Sequence, residues 1–212
     1  MHATFNSGPS QAFHDEYKRN MYSQNGEDGI IEELLNKLEI KSGWACEFGA
    51  WDGIRFSNTF ALIERGFQGV FIEGDGNKYK NLIKTAEKHP NIIPVHAFVD
   101  HNDTDNSLDN LLSKTKIPIN FDVLSIDVDS YDYQIWKSLK KYRPKIVIIE
   151  INSFINPNSL EHIHDPHKYQ GTAFLPMLNL GSGKGYSFVV HTGNVIFVEN
   201  KLLKKINLSW LS

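Results

Sequence analysis

Residues 44–53 read WACEFGAWDG, in which a strand-like apolar run reaches Glu47 and two spaced glycines, Gly49 and Gly53, follow in the next turn. Glycines at such a turn let the backbone pass close under a bound nucleoside, and a carboxylate at a strand end accepts hydrogen bonds from its amine or hydroxyl groups. The spacing differs from the Gly-x-Gly-x-x-Gly fingerprint of dinucleotide sites, and the chain lacks a Gly-Lys-Ser/Thr phosphate loop. The stretch predicts the first βα turn of an α/β sheet and favours a ligand without phosphates, although an ordinary glycine-rich turn has the same pattern.

Short apolar runs alternate with longer amphipathic segments along the rest of the chain, which is the pattern of βα units in a mainly parallel sheet. Five strands are predicted, over residues 44–47, 69–73, 92–99, 123–127 and 146–151. Helical spacing predicts helices over residues 28–38, 58–64, 77–88, 108–114, 133–142 and 173–180. Two further strands, 186–190 and 195–199, flank a Gly-Asn turn and predict a C-terminal antiparallel hairpin.

Length and composition favour one globular domain. The chain has 212 residues, of which 41% are hydrophobic and 22% charged, so it can bury a substantial core. Residues 1–18 mix Gly, Pro, Ser, His and charged residues without sustained periodicity, so we expect a flexible or loosely docked tail there and a single domain over 19–212.

The charge and the apolar runs exclude several classes of protein. A formal net charge of −3 lacks the basic excess of a nucleic-acid binder. No apolar run approaches the roughly 20 residues of a membrane span, so we expect none. The single cysteine, Cys46, excludes an internal disulfide and leads us to expect a cytoplasmic protein. The oligomeric state stays open.

Four of the five predicted strands end at or beside an acidic residue. Because the carboxyl ends of parallel strands meet at one edge of a sheet, where ligands bind, we expect these acidic side chains to gather there. Glu73 is placed to accept hydrogen bonds from both hydroxyls of a ribose, and Asp100 to hold the edge of an adenine. The expected edge consists of Glu47, Glu73, Asp100, Asp127 and Glu150.

Pairs of oxygen-bearing side chains stand at i and i+2 around the ends of the fourth and fifth predicted strands. Strand alternation would place Asp127 and Asp129 on one side, where two carboxylates invite a cation or a shared proton. Asp127, Glu150 and Asn152 form an all-oxygen set suited to Mg²⁺ or Mn²⁺. The same sequence pattern would arise if these polar side chains at the strand ends only form hydrogen bonds with the backbone and with helix termini. Among the loop histidines His162, His164 and His167, we take His164 as a candidate general base.

The order and spacing of these motifs resemble the class I S-adenosylmethionine-dependent methyltransferases, in particular the FkbM-type group. The resemblance spans residues 22–198 and includes the segment YSQNGED, residues 22–28, ahead of the first strand. It implies a Rossmann-like, mainly parallel seven-stranded sheet with an antiparallel last strand and helices on both faces. It also implies S-adenosylmethionine as cofactor, held by Ser23, Gln24, Glu47, Gly49, Ala50, Gly53, Glu73, Asp100 and Asp127.

The resemblance further implies O-methylation of a hydroxyl on a sugar acceptor in a glycan, a nucleotide-sugar or a glycosylated metabolite. Because a sulfonium needs no activation, the protein must align the acceptor oxygen and deal with its proton. We expect Asp127, Glu150 and Asn152 to orient the acceptor through a divalent ion, and Asp129 or His164 to act as the base.

Two points remain open at the level of sequence. The Asp-x-Asp also resembles the metal-dependent sugar methyltransferases of the TylF type, but those tend to carry adjacent acidic or amide residues where Ile151 separates Glu150 from Asn152 here. The need for a metal is therefore undecided. The alternatives are a non-catalytic methyltransferase-fold interaction module and a nicotinamide-dependent oxidoreductase. Binding of S-adenosylmethionine separates the methyltransferase from both alternatives.

Overall fold

The computed structural model describes residues 9–161 and 171–208. Within these ranges seven strands form one sheet: β1 Trp44–Phe48, β2 Gln68–Glu73, β3 Ile92–His96, β4 Val123–Ile126, β5 Ile146–Glu150, β6 Tyr186–His191 and β7 Asn194–Glu199. The helices are α1 Pro9–Tyr17, α2 Glu27–Lys37, α3 Phe60–Glu64, α4 Gly76–Lys88, α5 Leu108–Ser113, α6 Asp132–Ser138, α7 Phe174–Gly183 and α8 Leu203–Ile206, with a 3₁₀ turn at Asn200–Leu202. The predicted strands and helices are present, with ends that differ by a few residues.

The strand order is β3-β2-β1-β4-β5-β7-β6. Strands β1 to β5 pair in parallel, whereas β7 runs antiparallel to both β5 and β6. The predicted seven-stranded sheet with a C-terminal antiparallel hairpin is therefore confirmed. The chain order reverses between β1 and β4, and such a reversal opens a crevice beyond the carboxyl ends of the strands.

Apolar side chains cover both faces of the sheet because the buried strands present them on alternate sides. On one face α5, α6 and α7 pack through residues such as Leu112, Trp136 and Met177. On the other face α1, α2 and α8 pack through residues such as Phe13, Leu34 and Ile206. Helix α4 adds Leu82 to a third cluster on that face. Helices thus pack against both faces of the sheet. The edge at the carboxyl ends of the parallel strands is therefore a rigid support for the loops that follow them.

The N-terminal stretch differs from the expected flexible tail, because residues 9–17 form the helix α1. Phe13 is 3% exposed in the core, and the Ser10 hydroxyl donates to the carbonyl of Val189 in β6 at 2.7 Å. The sequence does not reveal this helix, because a single buried aromatic gives no visible period over nine residues. Residues 1–8 lie outside the described ranges.

Two strands end earlier than predicted. Strand β3 stops at His96, so Asp100 lies in the following loop, where it bridges to Ser107. Strand β4 stops at Ile126, so Asp127 and Asp129 belong to a loop and strand alternation does not govern their side chains. None of the helices in the described ranges has the length and apolar character that a membrane crossing requires.

Candidate functional site

Two adjoining cavities lie beyond the carboxyl ends of the strands. The large cavity, about 890 Å³, extends over β1, β2 and β4 and is lined by Glu47, Gly49, Glu73 and Asp100 among others. The small cavity, about 520 Å³, lies towards β5, β6 and α1 and is lined by His14, Asn152, His191 and Asn194 among others. Both share the residues Gln24, Asp127, Asp129 and Glu150. These four side chains therefore mark the junction of the cavities.

The floor of the large cavity is the turn after β1. Gly49 has φ +75°, and a Cβ added there would lie 1.8 Å from the carbonyl oxygen of Asp127. A side chain at this position would push apart the β1 and β4 loops, so only glycine fits. Ala50 and Gly53, which the resemblance assigns to cofactor binding, do not appear in the cavity lining. Gly53 is packed against Leu82 and Phe71 instead.

Glu73 shapes the adjoining wall. Its Oε2 accepts a hydrogen bond from the backbone N–H of Trp51 at 2.7 Å, and its Oε1 accepts one from Asp75 at 2.7 Å. The carboxylate thereby joins the β1 and β2 turns while it lines the cavity. Lys78 lies near the same wall, with Nζ 5.0 Å from the centroid of the Trp51 ring. The wall thus carries a fixed acceptor and a neighbouring cation.

Glu47 is a buried residue that lines the large cavity. Its Oε2 accepts hydrogen bonds from the Ser57 hydroxyl at 2.8 Å, from the Thr59 N–H at 3.1 Å and from the Thr59 hydroxyl. Burial raises the pKa of Glu47 to about 7, although these hydrogen bonds act in the opposite direction. A cationic group in the cavity would stabilise the ionised form of this carboxyl.

The outer rim of the large cavity is aromatic. Phe98 is 74% exposed and its ring lies beside Gly74, while the rings of His101 and Tyr131 stack with centroids 4.9 Å apart. Asp100 accepts hydrogen bonds from the N–H and side-chain amide of Asn102, and chiefly the backbone one lowers its pKa. Phe98 is not recognisable as a site residue from the sequence, because an apolar residue after a strand has no distinguishing pattern.

The loop after β4 carries the two predicted carboxylates. Asp129 has φ +57°, a left-handed conformation that Asp adopts more readily than most residues. The buried Asp132 holds the loop, since its carboxylate accepts from the N–H of Val128 at 2.9 Å and from that of Ser130 at 3.0 Å. A left-handed turn, rather than strand alternation, therefore brings Asp127 and Asp129 together.

One carboxylate oxygen from each of Asp127, Asp129 and Glu150 lies within 4.8 Å of the others. We call these three residues the carboxylate trio. Burial, followed by the negative charge of neighbouring acidic groups, raises the pKa of Asp127 and of Glu150. Asn152, the fourth oxygen-bearing candidate, lies in the small cavity, where its Oδ1 accepts from the N–H of Phe154 at 3.0 Å. Its assignment as a metal ligand stays a prediction.

The segment ahead of α2 closes over the junction. Asp28 Oδ2 accepts hydrogen bonds from the N–H groups of Met21, Tyr22 and Ser23 and from the Ser23 hydroxyl, all between 2.7 and 2.8 Å. Ser23 is therefore buried in a turn and does not line either cavity. This turn places Gln24, the next residue, against both cavities.

The small cavity contains a histidine that no motif in the sequence indicated. His191, at the end of β6, is 8% exposed, and its Nε2 lies 3.1 Å from the Ser153 hydroxyl. The β6–β7 turn beside it is tied to α2, because the buried Glu27 accepts from the hydroxyl of Thr192 and from the amide of Asn194. His164, the predicted base, lies outside the described residues.

We expect His191 to make stability depend on pH. Burial lowers its pKa to about 4, from roughly 6.5 in an unfolded chain, so the folded protein binds this proton less tightly. The resulting stabilisation is present above pH 6.5 and is lost as the pH falls towards 4. Between pH 7 and pH 5 this group should lower the free energy of unfolding by about 1 to 2 kcal/mol. Urea denaturation at both pH values should show a smaller loss in His191→Gln, and equal losses would contradict the expectation.

Comparisons with known proteins support the architecture. No protein-family model and no curated protein matches the chain. The N-terminal domain of EvdMO1, crystallised in the presence of SAH and D-fucose, matches with a TM-score of 0.52 at 13% identity, over 90% of this chain and 94% of that one. A candidate O-methyltransferase from Klebsiella pneumoniae matches with a TM-score of 0.52 at 13% identity, over 92% and 91%. PKMT2 from Rickettsia typhi in complex with AdoHcy matches with a TM-score of 0.51 at 13% identity, over 81% of this chain and 45% of that one. The sheet order and these matches together show that this chain has the Rossmann-like fold of class I methyltransferases.

Proposed function

We propose that this protein is an S-adenosylmethionine-dependent O-methyltransferase that transfers a methyl group to a hydroxyl of a sugar. The observation that carries the proposal is the meeting of two cavities at the carboxylate trio. One cavity has the size and polar groups for a nucleoside, and the other has room for an acceptor of sugar size. A methyl donor and an acceptor bound in these cavities would meet at Asp127, Asp129 and Glu150.

The large cavity fits S-adenosylmethionine. Glu73 offers a buried carboxylate at the end of β2 for the ribose hydroxyls, and Gly49 lets the β1 turn approach the β4 loop closely at the floor. The aromatic rim with Phe98 and the Asp100 loop suits the adenine, since purines stack on aromatic rings. Glu47 and Asp127 lie at the inner end, where their carboxylates suit the amino group and the sulfonium of the methionine part.

The small cavity fits a polyhydroxylated acceptor. Amide, hydroxyl and imidazole groups of Asn152, Ser153, His191 and Asn194 line it and offer both donors and acceptors. Phe154, 86% exposed, stands at the same cavity and suits the apolar face of a sugar ring. The N-terminal domain of EvdMO1, which was crystallised with SAH and D-fucose, has the same fold.

The carboxylate trio fits a divalent cation such as Mg²⁺ or Mn²⁺, which takes hard oxygen ligands. Asp127, Asp129 and Glu150 would hold the ion, and Asn152 is a further candidate. A bound ion supplies a positive charge that lowers the pKa of an adjacent hydroxyl. It would also offset the repulsion among the three carboxylates.

The residues of this chain have two tasks in the reaction. Gln24 and the trio hold the acceptor oxygen at the junction, in line with the bond that is broken. Such alignment can supply roughly 7 to 11 kcal/mol of the activation barrier. A carboxylate of the trio accepts the hydroxyl proton as the new carbon–oxygen bond forms. Asp129, the most exposed of the three, is the candidate base because it can release that proton to water.

The first test is a calorimetric titration of the protein with S-adenosylhomocysteine, with Mg²⁺ or Mn²⁺ and again with chelator. We expect micromolar binding, and Glu73→Gln should weaken it by roughly tenfold or more, because a charged acceptor is lost from a buried wall. Asp75→Asn is the matched control, since Asp75 caps α4 through the N–H groups of Asn77 and Lys78 and lies outside the cavity lining. The affinity of Asp75→Asn for S-adenosylhomocysteine should stay within about twofold of the wild-type value. A tenfold change, by comparison, corresponds to about 1.4 kcal/mol of binding free energy.

Each result separates the candidate functions. Binding of S-adenosylhomocysteine together with methylation of a sugar supports the proposal. Binding without methylation of any acceptor indicates the non-catalytic interaction module. Absence of binding contradicts the proposal, and a signal with a nicotinamide dinucleotide would then favour the oxidoreductase.

A further inference from the structure

A third cavity adjoins the aromatic rim of the large cavity and has a volume of about 510 Å³. The stacked rings of His101 and Tyr131 line both this cavity and the large cavity, so they form the partition between the two. Helix α6 and the residues that follow it supply the rest of the wall. We call this cavity the basic groove, and its lining includes His101, Tyr131, Tyr133, Gln134, Lys137 and Lys140.

Helix α6 presents one side to the basic groove because its other side is buried. Ile135 and Trp136 are 2% and 0% exposed and pack in the core cluster on that face of the sheet. Tyr133 and Lys137 are four positions apart, so they lie on the same side of the helix. The Lys137 Nζ lies 5.9 Å from the centroid of the Tyr133 ring, a contact that attracts the ammonium group to the ring face. The groove thus has a cation beside an aromatic ring.

The second cation of the groove, Lys140, belongs to the segment after α6. Its backbone N–H donates to the Asp109 carboxylate at 2.8 Å, and that of Lys141 donates to the same carboxylate at 3.1 Å. Asp109 holds the segment in place but does not line the groove. Of the residues in 9–161 and 171–208, no Asp or Glu lines the groove. Two lysines therefore set the charge of its wall.

This combination of groups suits a ligand that carries both a negative charge and a flat ring. A lysine ammonium group binds phosphate as a point charge, and two of them on one wall attract a multiply charged group. The rings of Tyr131 and Tyr133 suit a nucleobase, because every base has a face that stacks on aromatic side chains. The volume of the groove lies in the range of sites for small organic ligands.

We propose that the basic groove is a second ligand site, which binds a nucleoside phosphate with its base at the tyrosine rings and its phosphate at Lys137 and Lys140. Tyr133, Lys137 and Lys140 line neither the large nor the small cavity. The inference goes beyond the proposed function and does not depend on it, so each can fail without the other.

The test is a calorimetric titration of the full chain with UMP, and then with uridine, inorganic phosphate and D-glucuronate. We expect a Kd below about 1 mM for UMP, and at least roughly tenfold weaker binding of each of the other three. Uridine lacks the phosphate, inorganic phosphate lacks the ring, and D-glucuronate has a charge without a flat ring. The three arms therefore separate the nucleoside phosphate from its parts and from a sugar acid.

Variants of the wall locate the site. Lys137→Gln and Lys140→Gln should each raise the Kd for UMP by roughly threefold to tenfold, because each removes a charged donor to the phosphate. Lys141→Gln is the matched control, since it makes the same change of charge at an exposed neighbour outside the groove, where Nζ lies 5.4 Å from the centroid of the Tyr142 ring. Its Kd should stay within about twofold of the wild-type value. UMP should also bind when S-adenosylhomocysteine is present.

Four results would overturn the inference. These are a Kd for UMP above about 1 mM, uridine or D-glucuronate binding as tightly as UMP, an equal effect of Lys141→Gln and the two groove variants, and displacement of UMP by S-adenosylhomocysteine. If S-adenosylhomocysteine itself does not bind, the proposed function fails, and the lysine variants still decide whether UMP occupies the basic groove.

Discussion

Neutralising Asp127 or Glu150 should reduce kcat by roughly 10²-fold or more, because these carboxylates hold the acceptor oxygen in line with the reacting methyl group, and a misplacement of about 1 Å can cost that much. Asp127→Asn and Glu150→Gln keep the shape of each side chain but remove its charge and its capacity to accept a proton. The double variant should be no slower than roughly the slower single variant, because residues that act as a unit do not contribute additively. Single-turnover methylation of the preferred sugar measures the effect.

The stability of these variants distinguishes a chemical role from a structural one. Burial, followed by the negative charge of neighbouring acidic groups, raises the pKa of both carboxyls, so their ionised forms are unfavourable in the folded protein. An uncharged replacement should therefore leave the melting temperature at pH 8 the same or raise it. Asp100→Asn is the control, since Asp100 lines the large cavity away from the junction, and it should retain more than about a tenth of the activity. Full turnover in both trio variants, unaffected by chelator, would show that neither the carboxylates nor a cation takes part.

Replacing Gly49 by Ala should destabilise the protein by about 2 to 5 kcal/mol, the sum of a left-handed backbone penalty and a backbone displacement. The new Cβ would lie 1.8 Å from the carbonyl oxygen of Asp127, so the β4 loop must move. Because that loop carries the trio, binding of S-adenosylhomocysteine should be lost together with stability. Chemical denaturation and calorimetry measure the two effects.

Gly66→Ala separates the two contributions. Gly66 has a similar positive φ of +91°, but an added Cβ there meets no atom within 4 Å. The control should therefore show only the backbone penalty of about 1 to 2 kcal/mol and keep its affinity for S-adenosylhomocysteine. Equal destabilisation of the two variants would contradict a close approach between the β1 turn and the β4 loop.

The strands and their polar ends follow from the sequence because they rest on local patterns. Apolar runs of four to six residues bounded by turn residues are visible without knowledge of the partners, and the carboxyl ends of parallel strands always meet at one edge. Glu47, Gly49, Glu73 and Asp127 were therefore expected at the large cavity, where the structure places them. The sequence does not distinguish Gly53 from Gly49, because it does not show which glycine of the turn packs against the core.

The sequence by itself determined the succession of βα units, the terminal hairpin and the acidic edge, since each is encoded in residues close together in the chain. Only the tertiary structure decided what completes the small cavity. Helix α1 reaches β6 through a contact 179 residues away, and Glu27 reaches the β6–β7 turn across 165 residues. The left-handed turn at Asp129 and the burial of His191 also depend on packing between distant segments. Such contacts arise from the complementarity of surfaces that form only on folding, and no local period in the sequence specifies them.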